Sequence, residues 1–464
     1  MTQAPWVKCA LTSGARSIIF SRTIVRVKYP PRQKQMPNMQ EKQLSPSQPH
    51  RPSLDPHKRR ADGAPAALAG IKVLDFTRLI AGPYGTMLLA DLGAEVIKVE
   101  HPATGDDSRG LRPPALAGES SCYVWANRNK RSLALDLRSA QGQYIARELA
   151  SRIDVVVENF STGVMEKLGL DYATLSADNP RLIYCSVSAF GRHGPFAHRP
   201  GYDPVVQAES GFLSMNGFPD GDPVRAGSSV IDISTGMMTC NALLGALMAR
   251  ERHGIGQRVE VTMFDDAIAM TGQYGMNYLM TGEDQQRPGN GSNTAEPVGL
   301  FPTANGPLYV TCANDRNYQK LVIEVLDLPA LAQDERFRTN AVRMANRKVL
   351  HEMLREAFLR GRRETWLERG HATGVPMGLV RTIKEAFDCD EMRERGLLSQ
   401  ISHPTAGTVP NIAPPFHFER TPVVDPIAAP LLGEHTKEVL AQYLGYDESR
   451  LEELQAQGVF GAAN

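Results

Sequence analysis

No pair among the six cysteines (Cys9, Cys122, Cys185, Cys240, Cys312, Cys389) forms a C-x-x-C arrangement, and none is spaced with a histidine as zinc ligands are. That excludes a zinc module and a disulfide framework, and it fits a reducing compartment. Cys185 lies in the apolar run RLIYCSVSAF, where it reads as a small buried hydrophobe. No apolar run approaches the roughly 18 residues of a membrane span, so no transmembrane helix and no membrane partner are expected. Net charge is also lacking, because 51 Lys and Arg balance 51 Asp and Glu. The balance is uneven along the chain. Residues 1–65 hold 12 basic against 3 acidic residues, an excess of nine, which leaves residues 66–464 with a deficit of nine. An acidic body repels phosphate backbones, so no nucleic acid is expected as a partner.

Several motifs are missing. There is no G-x-x-x-x-G-K-[ST] loop, G-x-S-x-G elbow, H-E-x-x-H pair or kinase signature. The first strand runs into TRLIAGPYG, which lacks the G-x-G-x-x-G spacing, so a nicotinamide-dependent dehydrogenase has no support.

What is present is a chain of 464 residues, 42% hydrophobic and 22% charged, enough for two or three domains with a proper core. Residues 1–65 are Pro-, Gln- and Ser-rich and are expected to be a disordered basic extension outside the fold. Their first 40 residues hold seven basic and no acidic side chains, which suits a mitochondrial presequence, or a start assigned too early with Met36 or Met39 as the true beginning. A cytoplasmic protein is expected, with the mitochondrial matrix as the alternative. From residue 66 short apolar runs alternate with helical spacing: strands at 71–76, 95–100, 154–160, 181–190 and 257–264, helices at 82–94 and 140–151, and a helix after Asp232 that stops at Gly254. That alternation predicts an α/β fold, with βαβ units in a mostly parallel, Rossmann-like sheet over residues 66–280. Residues 282–307 are rich in Gly, Pro, Asn and Thr and mark a linker. A smaller α/β domain fills the rest of 281–400, with a strand at 308–312 and helices near 316–327 and 345–370. Two amphipathic helical turns end the segment 401–464.

Four stretches carry chemistry. In LDFTRLIAGPYG, Gly82 and Gly85 suit close backbone approach to a ligand, and the helix start offers N–H groups to an anion; a tight turn with ordinary capping fits as well. Asn159 and Phe160, at a strand's carboxyl end, suit hydrogen bonding and stacking on a planar base, with Lys167 placed for a phosphate. Lys130, Arg131 and Arg138 form a basic cluster, which by default is a solvated face. Asp232 sits among small residues (Gly227, Ser228, Ser229, Ser234, Gly236) directly before a helix. It reads either as an N-cap or as a carboxylate kept ionised by the helix dipole and open to an electrophile.

Together LAGIKVLDFTRLIAGPYGTMLLADLGAEVIKVE, NKRSLALDLR, DVVVENFSTGVMEKLG, RPGYDPVVQAESGF, VRAGSSVIDISTGM and PLLGEHTKEVL resemble the family III CoA-transferases of the CaiB/BaiF type, the group with formyl-CoA, carnitine and glutarate CoA-transferases. The resemblance covers residues 66–464 and places Asp232 on that family's catalytic aspartate. It implies thioester exchange through a mixed anhydride and an aspartyl-CoA thioester, with acyl-CoA as substrate, a carboxylate acceptor and no permanently bound cofactor or metal. It implies a CoA site formed by Ile80, Ala81, His101, Leu135, Asp136, Leu137, Arg138, Asn159, Phe160, Lys167 and Tyr202. Oxyanion donors would come from the helix start and the loop 289–291. It further implies an interlocked homodimer in which 401–464 returns to the large domain. His101 stands where formyl-CoA transferase has an arginine, and Ile80 replaces a glutamine of the formyl type, which counts against formyl-CoA as substrate.

Two alternatives follow from the same residues. A 2-methylacyl-CoA racemase of the superfamily needs a second proton-transfer group, a histidine at the position of Tyr202. A phenol, ordinarily titrating near 10, is a poor base at neutral pH. A non-catalytic CoA-binding protein would not need Asp232 in its full setting. RPGYD and SVIDISTG look most like the succinyl-CoA:dicarboxylate branch, where Arg199 or Arg225 would supply a cation for the acceptor.

Overall fold

The computed structural model describes residues 19–20, 23–24, 54–61 and 63–461. In the unit Met1–Lys42, Ile19–Phe20 pairs antiparallel with Thr23–Ile24. The remaining residues up to 53, expected to be a basic extension, lie outside the described residues. The unit Gln43–Asn464 carries the rest.

Six parallel strands form its main sheet: β1 Lys72–Asp75, β2 Glu95–Glu100, β3 Lys130–Ala134, β4 Val155–Glu158, β5 Ile183–Ser188 and β6 Gln257–Thr262. Their order is β6-β5-β4-β1-β2-β3. Register lines up Ile97, Leu74, Val156 and Tyr184 on one face, and Val96, Val73, Val155 and Ile183 on the other. Both rows are buried. That is why the central strands carry aliphatic residues at successive positions and not only at alternate ones: a parallel sheet is covered on both sides, and each buried aliphatic contributes roughly 1.5–3 kcal/mol.

The first face is covered by α2 (Ala140–Ala150), which presents Ile145, Ala146 and Leu149 and is capped by Ser139. Two C-terminal helices, Thr436–Leu444 and Glu448–Ala456, join the same core through Val439, Leu440, Leu451 and Leu454. The second face is covered by α1 (Ala81–Asp91) and by a later helix, Val230–His253. By length and composition Val230–His253 could cross a membrane, which corrects the expectation of no such run. Here it lies against the sheet, burying Ile231, Cys240 and Leu243.

α1 and this long helix touch at their glycines. A Cβ at Gly85 would stand 2.8 Å from the Gly236 carbonyl oxygen, and one at Gly236 would stand 2.8 Å from that of Ala81. A Cβ at Gly82 would strike the Thr77 side chain at 2.4 Å. Gly82 and Gly85, expected to serve a ligand's approach, therefore serve packing.

A second core surrounds the antiparallel strands Val298–Thr303, Gly306–Thr311 and Met377–Leu379, filled by Phe301, Leu308, Tyr318, Phe337 and Phe358. The helix expected near 316–327 is Asp315–Lys320 followed by a π-helical turn at Leu321–Val325. That expected over 345–370 is two helices, Arg347–Phe358 and Arg363–Thr373. Residues 54–61, expected outside the fold, are fastened to the body. Gln400 N donates to the Asp55 carbonyl at 3.0 Å, and Arg60 N donates to the Asp425 carboxylate at 2.9 Å.

Candidate active site

Strand order reverses at β1: β2 and β3 lie on one side of it, β4 to β6 on the other. Ligands of such sheets bind beyond the strands' carboxyl ends at this switch point. Two cavities of about 300 Å³ each open there and share Arg78 and Phe160. One is lined by Ile80, Ala81, Asn159, Phe160, Tyr202 and Asp232. The other is lined by His101, Leu135, Asp136, Leu137 and Arg138. Lys167 is exposed and lines neither, although Val164 and Leu168 of its own short helix line the second.

A buried charge network holds the turn after β1. Lys130 Nζ lies 3.0 Å from Asp75 Oδ2, and neither side chain has measurable exposure. Asp75 also accepts from the hydroxyls of Thr77 at 2.5 Å and Thr86 at 2.7 Å. Burial pushes the Asp75 carboxyl up, but Lys130, Lys98 and these hydroxyls outweigh it and hold the pKa down to about 2. Burial lowers Lys130 to about 8 despite Asp75. Lys98 Nζ donates to the Thr77 carbonyl and pairs with Asp106 Oδ2, both at 2.7 Å. Asp106 Oδ1 in turn accepts from Leu79 N at 3.0 Å and holds that residue at φ 67°, an unusual conformation outside glycine. The expected basic cluster is thus split. Lys130 is an interior ion-pair partner, Arg131 bonds Glu95 and Glu438, and only Arg138 faces solvent, bonded to Asp136 and 2.8 Å from His101 Nε2.

Asn159 does not offer its amide to a base. Its Oδ1 accepts from Arg78 N and its Nδ2 donates to the Arg78 carbonyl, each at 2.9 Å. Phe160 has the Arg78 guanidinium 5.0 Å over its ring. Arg78, unnoticed in the sequence, is the cation standing between the two cavities. The loop 289–291 is not part of either wall. Gly289 N donates to the Gly217 carbonyl at 3.1 Å and Gly291 N to that of Pro288 at 2.9 Å, so these two donors are engaged within the loop region.

Asp232 is not the residue before its helix but lies in the first turn of Val230–His253. The capping acid is Asp203, at the start of α3 (Asp203–Glu209): its Oδ2 accepts from Ile231 N at 2.7 Å and Asp232 N at 3.1 Å. The Asp232 carboxylate keeps no hydrogen-bond donor among the described residues. Burial, and then the charge of Asp203, raise its pKa to about 7. From sequence the helix dipole is expected to keep it ionised; two of the helix's first N–H groups, those of Ile231 and Asp232, are taken by Asp203 instead. Cys122 lies near enough for Asp232 to act on it; burial first, then Asp106 and Asp232, raise the thiol to about 11. A carboxylate without donors, in a cavity wall beside a helix N-terminus, has the geometry of a nucleophile.

Comparison with known proteins agrees with this architecture. The family model described as CoA-transferase family III matches residues 68–436. A succinyl-CoA:glutarate CoA-transferase of Mus musculus is 36% identical over 392 residues, covering 84% of this chain and 90% of that one. A succinate–glutarate CoA-transferase of Agrobacterium fabrum is 38% identical over 381 residues, covering 81% and 95%. A crystal structure of a CaiB/BaiF family protein from Brucella suis superposes with TM-score 0.74 at 36% identity, covering 82% of this chain and all of that one. On that breadth of match the chain belongs to CoA-transferase family III and is an enzyme of the CoA-transferase type.

Proposed function

We propose that the enzyme moves CoA from succinyl-CoA or a similar dicarboxylyl-CoA to a second dicarboxylate, with Asp232 as nucleophile. The observation that carries this reading is the unbonded Asp232 carboxylate in the wall of the switch-point cavity. An Asp232 oxygen attacks the thioester carbonyl and expels CoA thiolate, leaving a mixed anhydride. The thiolate attacks the Asp232 acyl carbon and releases the donor acid, leaving an aspartyl-CoA thioester. The acceptor carboxylate expels the thiolate again, and the thiolate then takes the acceptor acyl group and frees Asp232. CoA enters and leaves as part of the substrates, and no resident cofactor takes part in these steps.

Of the two arginines considered for the acceptor, Arg199 lines the Asp232 cavity, 4.5 Å over the Phe190 ring, while Arg225, among the described residues, bonds only its neighbour's carbonyl. The activities of the relatives, transfer between succinate and glutarate, support a dicarboxylate acceptor. CoA transfer from succinyl-CoA to glutarate, followed by chromatography, tests the reading. Asp232→Asn is expected to lower turnover by about 10⁴-fold or more; a variant retaining a tenth of the activity contradicts it.

A homodimer belongs to the proposal. The helix Gln273–Thr281 has no buried residue and exposes Met276, Leu279 and Met280, an apolar face suited to a second copy of the chain. The five described cysteines are all free, which suits the cytoplasm, with the mitochondrial matrix as the alternative.

A further inference from the structure

Asp203 is 2% exposed, and no cation pairs with it among the described residues. It shares its helix with buried Val206 and bonds the backbone of buried Ile231, a setting in which an unbonded carboxylate is strongly unfavourable. Donors offset that cost. Oδ2 takes Ile231 N and Asp232 N, and Oδ1 takes the Gln207 side-chain amide at 2.5 Å. Gln207 is fixed in turn, accepting from Ala226 N at 2.9 Å.

An acid in the first turn of a helix ordinarily turns its own carboxylate toward the helix's free N–H groups. Here a residue 29 positions earlier has taken them. We propose that Asp203 is the positioning residue of Asp232: it caps the helix in Asp232's place, leaving that carboxylate free of hydrogen bonds and beside a fixed like charge. The inference rests on Asp232 being the nucleophile. A carboxylate stripped of donors and set next to another anion is more basic, and basicity raises attack on a thioester carbonyl. The raised Asp232 pKa has Asp203 as its named charge partner.

Other groups near Asp232 do not duplicate this effect. From α1, Tyr84 packs against Gly236. From the helix Met263–Met270, Asp266 is engaged by the hydroxyls of Ser234 and Thr235 at 2.5 and 3.0 Å. From the helix Ser121–Ala126, Cys122 stays a neutral thiol. Across the cavity, Arg78 pairs with Asp107 and lies over Phe160, Arg192 pairs with Glu158, Arg199 pairs with Glu209, and His198 and Tyr202 complete that wall.

The test is the titration of Asp232 itself, read by ¹³C NMR on protein labelled at the aspartate carboxyl carbons and assigned by Asp232→Asn. In Asp203→Asn the amide oxygen still caps the helix while the charge is gone. The midpoint is expected to fall by about one pH unit or more. The acid limb of kcat/KM moves with it, and kcat drops roughly tenfold at little change in KM. Asp203→Ser, a small neutral cap, gives the same fall should the asparagine variant not fold, and Asp203→Glu keeps the midpoint high. An Asp232 midpoint unmoved in both neutral variants overturns the inference, whatever the activity. A moved midpoint in a protein whose Asp232→Asn variant still transfers CoA overturns the nucleophile reading and leaves the effect of Asp203 on Asp232 intact.

Discussion

The ammonium of Lys130 and the carboxylate of Asp75 meet at 3.0 Å, both out of solvent, and Asp75 ends the strand that leads into the turn whose Arg78, Leu79 and Ile80 line the Asp232 cavity. Removing one partner of such a pair strands a buried charge. Lys130→Met is expected to cost about 3–5 kcal/mol, measured by urea unfolding. The double variant Lys130→Met/Asp75→Asn is expected to recover much of that. The sign with pH follows from Asp75, whose folded pKa lies below its unfolded value. Its contribution is present above about pH 4 and is lost as pH falls toward 2.

Asp232 has the opposite sign. Its folded pKa of about 7 lies above the unfolded value, so stability falls as pH rises from about 4 to about 7 and stays reduced beyond. Asp232→Asn is therefore more stable than wild type at pH 8 and no more stable at pH 4, as thermal unfolding at the two pH values shows. Activity needs the deprotonated form, so kcat/KM rises with pH through about 7 and then levels. A profile already flat from pH 5 contradicts this.

Gly236 and Gly245 lie on the same helix and predict opposite outcomes. A methyl at Gly236 meets the Ala81 backbone at 2.8 Å, while one at Gly245 meets nothing within 4 Å. Gly236→Ala is expected to destabilise by about 1–3 kcal/mol and to lower activity by displacing the helix that carries Asp232. Gly245→Ala is expected to stabilise by about 0.5–1 kcal/mol. Calorimetry on both variants decides.

Cys122 supplies a chemical probe. With its thiol pushed up to about 11, alkylation by iodoacetamide at pH 7.5 is expected to run roughly a hundredfold slower than for an ordinary cysteine. The rate rises in Asp232→Asn, because the carboxylate is one of the charges opposing the thiolate. Equal rates in the two proteins would show that the groups do not interact.

For the acceptor, Arg199→Gln is expected to raise the glutarate KM roughly tenfold or more, and Arg225→Gln to leave it unchanged. Saturation kinetics at fixed succinyl-CoA separate the two.

The central strands were legible because burial on both faces leaves them rich in Val, Ile and Leu: EVIKVE spans 95–100 in sequence and structure alike, its Lys98 and Glu100 being buried ion-pair partners. Edge strand β3 was not, because KRSLA begins with two cations and reads as a charged surface. Only the fold brings Asp75 against Lys130. Asp232 could be singled out as an isolated acid among small residues at a helix start. That Asp203 would take its cap could not, since a helix beginning 29 residues earlier supplies it. Arg78 escaped notice for a similar reason: its position between the cavities depends on Phe160, from a different strand's end.

The most direct test of covalent transfer is to mix the enzyme with succinyl-CoA, quench with hydroxylamine and map the peptides by mass spectrometry. The account predicts a hydroxamate on the side chain of Asp232, absent in Asp232→Ala. An unmodified Asp232 peptide under conditions where CoA transfer proceeds would contradict it.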